Sequence, residues 1–478
     1  MLTLAGSLAR GKILAVSLGT SGVGIVAQLG NFAVLLGGLS TLGLATAGVT
    51  LIGRTHSDDD TQLRRRIVST VVAVPIGVSV LLAVLAAVFA RPISHALLGS
   101  HTHPWYVILA AASLPANALA SAYQVVLQGY GRAWRVAVNS AAAAVAGVAI
   151  AALLVVPFGL TGGVITIAAS AAAAAIVMLV RERSITAEAL PLASAGRSAN
   201  RLLLQFGGAS LIAGTMTSVV DLVLRSRLTT HFGTAANGLY QPAYVLGNLV
   251  FVQLGGGIAT AITPSLAMYW AMGEKGRTSA ILRTAVRLSL VAMVPLLLLV
   301  TATRGLIVPA VFSGAFKGAE PILALQLTTE LPRAIAYTIG AFLLPAGLVR
   351  AWVVMGVTSE VIRLVVGLLL LNSLHAQALS TGSVAAWVFI AVTTMRLAHN
   401  QGIRLGGDTD RLIAAATILV ASSFAATLWR AGTLPVNILI ALIAIGWIIC
   451  VPNVEEKRRI SGKLRELRRG IRRPTGTA

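Results

Sequence analysis

Long apolar runs constrain the fold of this chain more than any other feature. Thirteen segments are apolar over the ~20 residues that an α-helix needs to cross the hydrocarbon core of a bilayer. Only 11% of the 478 residues are charged, whereas soluble domains have about a quarter. The sequence therefore predicts an all-α polytopic membrane protein and excludes a large soluble domain. The predicted spans lie near 23–52, 66–90, 105–128, 136–158, 161–180, 202–224, 238–270, 284–309, 321–346, 351–372, 383–400, 411–429 and 434–452.

The first residues form a shorter apolar segment. Residues 1–18 contain Arg10 and Lys12 and are too short for an ordinary span. They do not fit a signal peptide, because the two cations interrupt the apolar core that such a peptide needs. We interpret them as the second half of a first helix whose beginning is absent from this sequence. With this truncated helix, the prediction is about 14 transmembrane helices.

The distribution of positive charge predicts the orientation of the chain. The net charge of +22 by itself suggests a nucleic-acid ligand, but in a polytopic protein such an excess marks the cytoplasmic loops. We therefore expect no nucleic acid as a partner. When successive loops are assigned to opposite sides, 27 Lys and Arg residues fall on one side and six on the other. Both termini are thus predicted to be cytoplasmic. The six residues on the outer side are Arg91, Arg225, Arg227, Arg304, Lys317 and Arg430.

Two similar segments indicate an internal repeat. Residues 24–54 and 238–270 both begin with Gly, have Gln and Asn early, and contain Leu-Gly-Gly at 36–38 and 254–256. Each is the second span of a half with six spans, which predicts a parallel repeat of two six-helix bundles plus two C-terminal helices. The predicted divisions are an N-terminal helical bundle at 1–180, a cytoplasmic linker loop at 181–201, a C-terminal helical bundle at 202–400, two extra transmembrane helices at 401–452 and a polybasic cytoplasmic tail at 453–478.

Catalytic and metal-binding motifs are scarce. Cys450 is the single cysteine, so an intramolecular disulfide is excluded, and we expect it to be a small buried residue. His95, His101 and His103 share one predicted outer loop, where solvated side chains are a better interpretation than a metal site. The sequence has no Walker A motif and no loop much longer than about 20 residues. We therefore expect no enzyme, no cofactor and no metal.

Oppositely charged pairs lie within or at the ends of the predicted spans. The partners are three or four residues apart, so each pair lies on one helix face. A charge at mid-bilayer costs at least ~2.5–3.5 kcal/mol, so it needs a partner, an aqueous cavity or a function. A gating or ion-coupling role and a structural ion pair both remain open. Pro332 indicates a kink or break at the second pair. The pairs are Asp221 with Arg225, Glu330 with Arg333, and Glu360 with Arg363.

Several stretches, in this order, resemble one transporter family. Residues 11–24 are G-K-I-L-A-V-S-L-G-T-S-G-V-G, followed by Gln28 and Asn31. Residues 316–337 end in Q-L-T-T-E-L-P-R-A-I-A-Y, and residues 359–361 are S-E-V. These stretches resemble the Wzx-type flippases of lipid-linked oligosaccharides, which include those for O-antigen and enterobacterial common antigen. That group belongs to the polysaccharide transporter family of the MOP (MATE-like) exporter superfamily, and the resemblance runs from residue 5 to about residue 400.

Two motifs depart from relatives within this superfamily. Glu330 and Arg333 stand where the resembling family has Asp and Lys. The lipid II flippases have Arg-Asp in the first helix and paired Arg in the second. Here Arg10 is followed by Gly11, and the predicted span 23–52, which is the second helix when the truncated one is counted, has no Arg. This difference counts against lipid II as the cargo.

The resemblance implies a function in surface polysaccharide biosynthesis. The expected activity is transport of an undecaprenyl-pyrophosphate-linked oligosaccharide across the bacterial cytoplasmic membrane, by rocking of the two halves. The expected partners are that lipid-linked substrate, membrane lipids and a polysaccharide polymerase or chain-length regulator. A cation-coupled multidrug exporter of the MATE-like type is the alternative. A membrane glycan polymerase ranks last, because it would need long outer loops.

Polar residues in the spans are candidates for the wall of a substrate cavity. A sugar headgroup needs neutral hydrogen-bond partners and its pyrophosphate needs cations. Hydrogen bonds between helices are the alternative role for each residue taken singly. The cavity candidates are Arg10, Lys12, Gln28, Asn31, Arg201, Gln241, Asn248 and Gln253.

Reporter fusions test the predicted orientation. Alkaline phosphatase needs its disulfides and is active only outside the cytoplasm, whereas green fluorescent protein fluoresces when it stays inside. Fused after residue 478, the phosphatase should be inactive and the fluorescent protein bright. The same fusions after residue 103, in a predicted outer loop, should give the opposite pattern. An active phosphatase at residue 478 would contradict the cytoplasmic C-terminus.

Overall fold

The computed structural model describes residues 2–57, 61–100, 103–189, 197–251, 257–429 and 434–451. Helices account for nearly all of these residues, and no β-strand occurs in the described ranges. Eight of the helices are long and apolar enough to cross a membrane. The predicted class, an all-α polytopic membrane protein, is therefore confirmed, while the number of 14 spans stays a prediction.

The helices follow one another with short connections. In the first part of the chain they are α1 (Leu2–Ser40), α2 (Leu44–Ser57), α3 (Thr61–Val88), α4 (Ala90–Leu98), α5 (Pro104–Ala111), α6 (Leu114–Gly129), α7 (Ala133–Arg181), α8 (Arg183–Ala189) and α9 (Arg197–Phe232). They continue with α10 (Thr234–Phe251), α11 (Gly257–Ala271), α12 (Lys275–Val311), a 3₁₀ helix (Gly314–Ala319), α13 (Glu320–Gly340), α14 (Val349–Leu369), α15 (Leu371–Leu374), α16 (Gln377–Asn400), α17 (Gly407–Trp429) and α18 (Leu434–Cys450).

Two of the longest helices contain a break at a glycine. In α1 the break is at Gly19 (φ 64°), between the short first segment and the first predicted full span. In α7 it is at Gly159 (φ 54°), two residues after Pro157 and between two predicted spans. A positive φ is strained for residues with a Cβ, so glycine suits these points. The spacing of apolar runs thus located both breaks.

The two halves of α7 form a hairpin whose ends meet. Arg135 Nη1 lies 3.1 Å from Glu182 Oε2, and Asn139 Nδ2 donates to Glu182 Oε1 at 3.0 Å. Residues 47 positions apart are thereby joined at one end of the helix pair. The sequence-based orientation assigns the loops at 132–135 and 181–183 to the same side of the membrane, as a hairpin requires.

The contacts between helices divide the chain into two compact units. The first unit comprises 1–243, 308–322 and 353–386, and the second comprises 244–307, 323–352 and 387–478. The first unit contains apolar clusters of mostly Ala, Val and Leu, which in membranes pack by close van der Waals contact. The sequence-based division into bundles and extra helices stays a prediction.

Some local expectations need correction. Cys450 is exposed at the end of α18 and is not a buried residue. Arg225 and Arg304, which we counted among the outer loops, are buried inside α9 and α12. A charged residue can lie inside such a helix when a neighbouring helix offers polar partners. Arg304 Nη1 donates to Asn437 Oδ1 at 3.1 Å. The polybasic tail at 453–478 lies outside the described residues.

A close helix crossing holds α1 against α10 in the first unit. Gly24 and Gly238 face each other at the crossing: a Cβ on Gly24 would overlap the Thr234 carbonyl oxygen, and one on Gly238 would overlap that of Thr20. Asn237 Nδ2 donates to the Gly24 carbonyl at 2.9 Å. Small residues allow such approach in membrane helices. These two glycines are also the first residues of the two similar sequence segments.

The substitution Gly24→Ala should destabilise this crossing. The added methyl forces the two backbones apart, and overpacking of this kind typically costs about 1–3 kcal/mol. Thermal unfolding of the purified protein in detergent should show a lower midpoint. Gly30→Ala on the same helix is the control, because a Cβ there meets nothing within 4 Å. Equal midpoints for the two variants would contradict the tight crossing.

Candidate functional site

Helix α9 contributes polar residues to several contacts in the first unit. Thr217, Asp221 and Arg225 recur at intervals of four residues, which brings them to one face of the helix. Ser226 and the carbonyl of Leu222 lie next to that face. Residues of α9 therefore contact three other helices, namely α14, α10 and α1.

A cluster of three charges joins α9 to α14. Arg363 pairs through Nη2 with Asp221 Oδ1 and through Nη1 with Glu360 Oε2, the latter at 3.2 Å. Glu360 Oε1 also accepts a hydrogen bond from Thr217 Oγ1 at 2.9 Å. All three charged side chains are less than 15% exposed. With both carboxylates ionised, the cluster has one negative charge in excess, so it is able to attract a further cation or a proton.

Arg225 has a different set of partners. Its side chain is fully buried, donates from Nη1 to Gln241 Oε1 at 2.7 Å, and lies 4.7 Å from the centre of the Tyr240 ring. The aromatic face attracts the guanidinium. The sequence predicted that Arg225 and Asp221 share one helix face. In the structure, the Arg225 side chain contacts α10, whereas the Asp221 side chain contacts α14.

Gln28 connects α1 to α9. Its Nε2 donates to Ser226 Oγ at 2.8 Å and lies 3.5 Å from the Leu222 carbonyl. Its Oε1, and the Nδ2 of Asn31 one turn further along, are buried without a hydrogen-bond partner among the described residues. A buried polar atom without a partner is costly. These two atoms therefore have unused hydrogen-bonding capacity in the described part of the chain.

The second unit contains its own charged pair, on α13. Arg333 Nη1 lies 3.3 Å from Glu330 Oε2, and the Glu330 side chain is 0% exposed. Asn248 Oδ1 accepts from Arg333 Nη1 at 2.7 Å, while Gln326 Nε2 donates to Glu330 Oε1 at 3.4 Å. Of the predicted kink or break at Pro332, a break is excluded, because α13 continues through that residue.

Two further features shape the surroundings of this pair. The Arg333 guanidinium lies 5.3 Å from the centre of the Trp387 ring and 6.0 Å from that of Tyr337. A Cβ on Gly247 would lie 3.2 Å from Glu330 Oε1. The glycine therefore lets α10 approach the buried carboxylate closely, and the aromatic rings cover the cation.

Arg10 and Lys12 do not join either cluster of charges. Arg10 donates to Thr166 Oγ1 at 3.3 Å, and Lys12 donates to the carbonyls of Pro309 and Ala310 near the end of α12. A cation at a helix C-terminus is stabilised by the helix dipole, so Lys12 has a clear structural role. Arg201 lies on α9. Gln253 is outside the described residues.

Sequence reasoning missed several partners. Gln326 stands four residues before its partner Glu330, so helical spacing would have found it. Thr217 bonds Glu360, 143 residues further along the chain, and local spacing does not indicate that contact. Trp387 is distant in sequence from Arg333, and no local pattern indicates their contact. Among the described residues, no group of three His, Cys, Asp or Glu side chains suits a metal ion.

Comparisons with protein families and with known proteins identify relatives of this chain. A family model described as polysaccharide biosynthesis protein matches residues 13–321. The lipid III flippase of Escherichia coli (strain K12) is 22% identical over 360 residues, which cover 74% of this chain and 84% of that protein. The lipid III flippase of Shigella flexneri matches with the same identity and coverage.

Solved structures support the fold. An inward-facing multidrug resistance MATE family transporter of the MOP superfamily matches with a TM-score of 0.70 and 15% identity, covering 87% of this chain and 95% of that chain. The lipid II flippase MurJ, in an inward closed conformation, matches with a TM-score of 0.71 and 11% identity. The match covers 94% of this chain and 95% of that chain. At these identities the likeness concerns the fold alone.

The family match and the fold agree with the resemblance seen in the sequence. The matched residues span more than half of the chain and run from within α1 to the start of α13. The fold is that of the MOP superfamily transporters, and the protein crosses the membrane several times. The chain therefore belongs to the polysaccharide biosynthesis protein family.

Proposed function

We propose that this protein is a flippase for a lipid-linked oligosaccharide. The observation that supports this proposal most strongly is the similarity to a lipid III flippase over 84% of that protein's length. The cargo is proposed to be an undecaprenyl-pyrophosphate-linked oligosaccharide for surface polysaccharide biosynthesis, moved from the inner to the outer face of the bacterial cytoplasmic membrane. The protein is a transporter in this proposal, and a polysaccharide polymerase or chain-length regulator is its expected protein partner.

The polar groups inside the helices fit such a cargo. Sugars offer many neutral hydroxyls, and the amides of Gln28 and Asn31 have buried atoms able to bind them. The pyrophosphate needs cations, for which Arg10 and Arg201 are the proposed partners. Gln241 and Asn248 each accept a hydrogen bond from an arginine, so a ligand near them would compete with Arg225 or Arg333.

The proposed mechanism is alternating access. The polar headgroup crosses the membrane through the protein, while the lipid tail stays in the bilayer, where its transfer costs little. Coupling to an ion or proton gradient is proposed through Asp221 or Glu330. At Asp221 the excess of carboxylates over Arg363 favours uptake of a cation. At Glu330 the charge is balanced by Arg333, so protonation would release the arginine to other partners.

Depletion of this protein should cause one complete lipid-linked oligosaccharide to accumulate. A blocked flipping step leaves the finished substrate on the inner leaflet, and the corresponding surface polymer is lost. Mass spectrometry of lipid extracts measures the intermediate, and surface glycan analysis measures the polymer. Re-expression of the wild-type chain is the control and should restore both.

Other outcomes identify the alternatives. An unchanged lipid pool together with new drug sensitivity would favour a MATE-like exporter, which the TM-score of 0.70 also accommodates. Accumulation of incomplete sugar units, or of flipped but unpolymerised units, would favour an enzyme of the same pathway.

The variant Glu330→Gln should lower transport without loss of the protein from the membrane. The amide is nearly isosteric but removes the negative charge that holds Arg333. Restoration of the surface polymer in the depleted strain measures transport, and immunoblotting measures the amount of protein. Glu320→Gln is the matched control, since it makes the same change at the half-buried start of the same helix. Full activity of Glu330→Gln would remove the pair from the mechanism.

A further inference from the structure

A pocket lies where the two ends of the α7 hairpin meet. Its volume is about 490 Å³, within the range of ~300–1,000 Å³ that is typical of small-molecule sites. None of its residues belongs to the candidate transport site. The lining residues are Trp134, Arg135, Val138, Arg181 and Glu182.

Hydrogen bonds hold the two arginines of this pocket in place. Arg135 pairs with Glu182 at 3.1 Å, and Glu182 also accepts from Asn139 Nδ2 at 3.0 Å. Arg181 Nε donates to the amide oxygen Oδ1 of Asn139 at 2.8 Å. Because Glu182 and Asn139 are both buried, this chain of contacts orients Arg135 and Arg181 on a rigid base.

The pocket has an excess of positive charge. Its single carboxylate, Glu182, is already bound by Arg135 and Asn139. A guanidinium has five N–H donors, and each of the two arginines uses one of them in the bonds given above. Arg135 is 50% exposed, so its remaining donors are accessible. Arg132 is also exposed and lies beside the lining residues in sequence. The surface is therefore suited to an anion such as a phosphate.

The position of the pocket points to a lipid as the source of that phosphate. Trp134 is 77% exposed at the start of α7, and tryptophan is enriched at the membrane–water interface. The distribution of Lys and Arg predicts that this end of the hairpin faces the cytoplasm. The cytoplasmic leaflet contains anionic lipids, and basic pockets on that side of a membrane protein suit their headgroups.

We propose that the pocket formed by Trp134, Arg135, Val138, Arg181 and Glu182 binds the phosphate headgroup of an anionic phospholipid from the cytoplasmic leaflet. Arg135 and Arg181 contact the phosphate, and Trp134 lies beside the glycerol and upper acyl region. None of the residues that we propose for binding the oligosaccharide lines this pocket, so the inference does not depend on the proposed function.

Native mass spectrometry of the full-length purified protein tests the site. The protein is exchanged into detergent with phosphatidylglycerol or with phosphatidylcholine, and the retained lipid is counted. The wild type should retain phosphatidylglycerol, and Arg181→Gln should weaken retention about tenfold, the expected effect of losing a charge-assisted hydrogen bond. Arg183→Gln is the control: it removes the same charge two residues away, outside the lining, and should retain the lipid within about twofold of the wild type.

A second measurement needs no variant. A photoactivatable phosphatidylglycerol with its reactive group near the phosphate should label wild-type peptides containing residues 134–138 and 181–182. Labelling confined to other peptides would overturn the proposal. So would equal retention of phosphatidylcholine, or equal loss in Arg181→Gln and Arg183→Gln. Displacement of the lipid by excess inorganic phosphate would show a site for the free anion and would also overturn it.

Discussion

The absence of water from the bilayer core is the constraint on which this structure depends. Backbone N–H and C=O groups in hydrocarbon must bond within their own segment, so the described spans are helices. The same constraint acts on side chains, because an unpaired charge in this environment is costly. Asp221, Glu330, Arg333 and Arg363 all have partners of opposite charge inside the protein. The pair between Asp221 and Arg363 therefore joins α9 to α14.

The two charged clusters differ in their balance of positive and negative charge, so we expect them to differ in their chemistry. Glu330 and Arg333 neutralise each other, and Asn248 and Gln326 satisfy further donors and acceptors. Arg363 instead faces two carboxylates, so its cluster has one negative charge in excess when both are ionised. A balanced pair mainly stabilises one arrangement of helices, whereas an unbalanced cluster responds to cations. The proposed ion coupling therefore rests more firmly on the cluster in the first unit.

Small residues complement these polar contacts. At Gly24 and Gly238 two helices approach so closely that their backbones touch, and Asn237 adds a hydrogen bond to the Gly24 carbonyl. At Gly247 the missing side chain gives α10 access to the carboxylate of Glu330. Lipid tails are as apolar as leucine, so apolar burial does little to join membrane helices. Close packing at glycines and hydrogen bonds between polar side chains take over that role.

The sequence by itself determined the membrane class, the breaks near Gly19 and Gly159, and the family resemblance. These follow from local properties: the length of apolar runs, the conformational preference of glycine and short ordered motifs. It also located the pairs Glu330–Arg333 and Glu360–Arg363, because residues three apart share a helix face. Only the tertiary structure decided that Arg363 binds Asp221 and that Arg225 turns to Gln241. Such choices depend on which helices pack together, and helix packing brings together residues that are far apart in sequence, which no local pattern records.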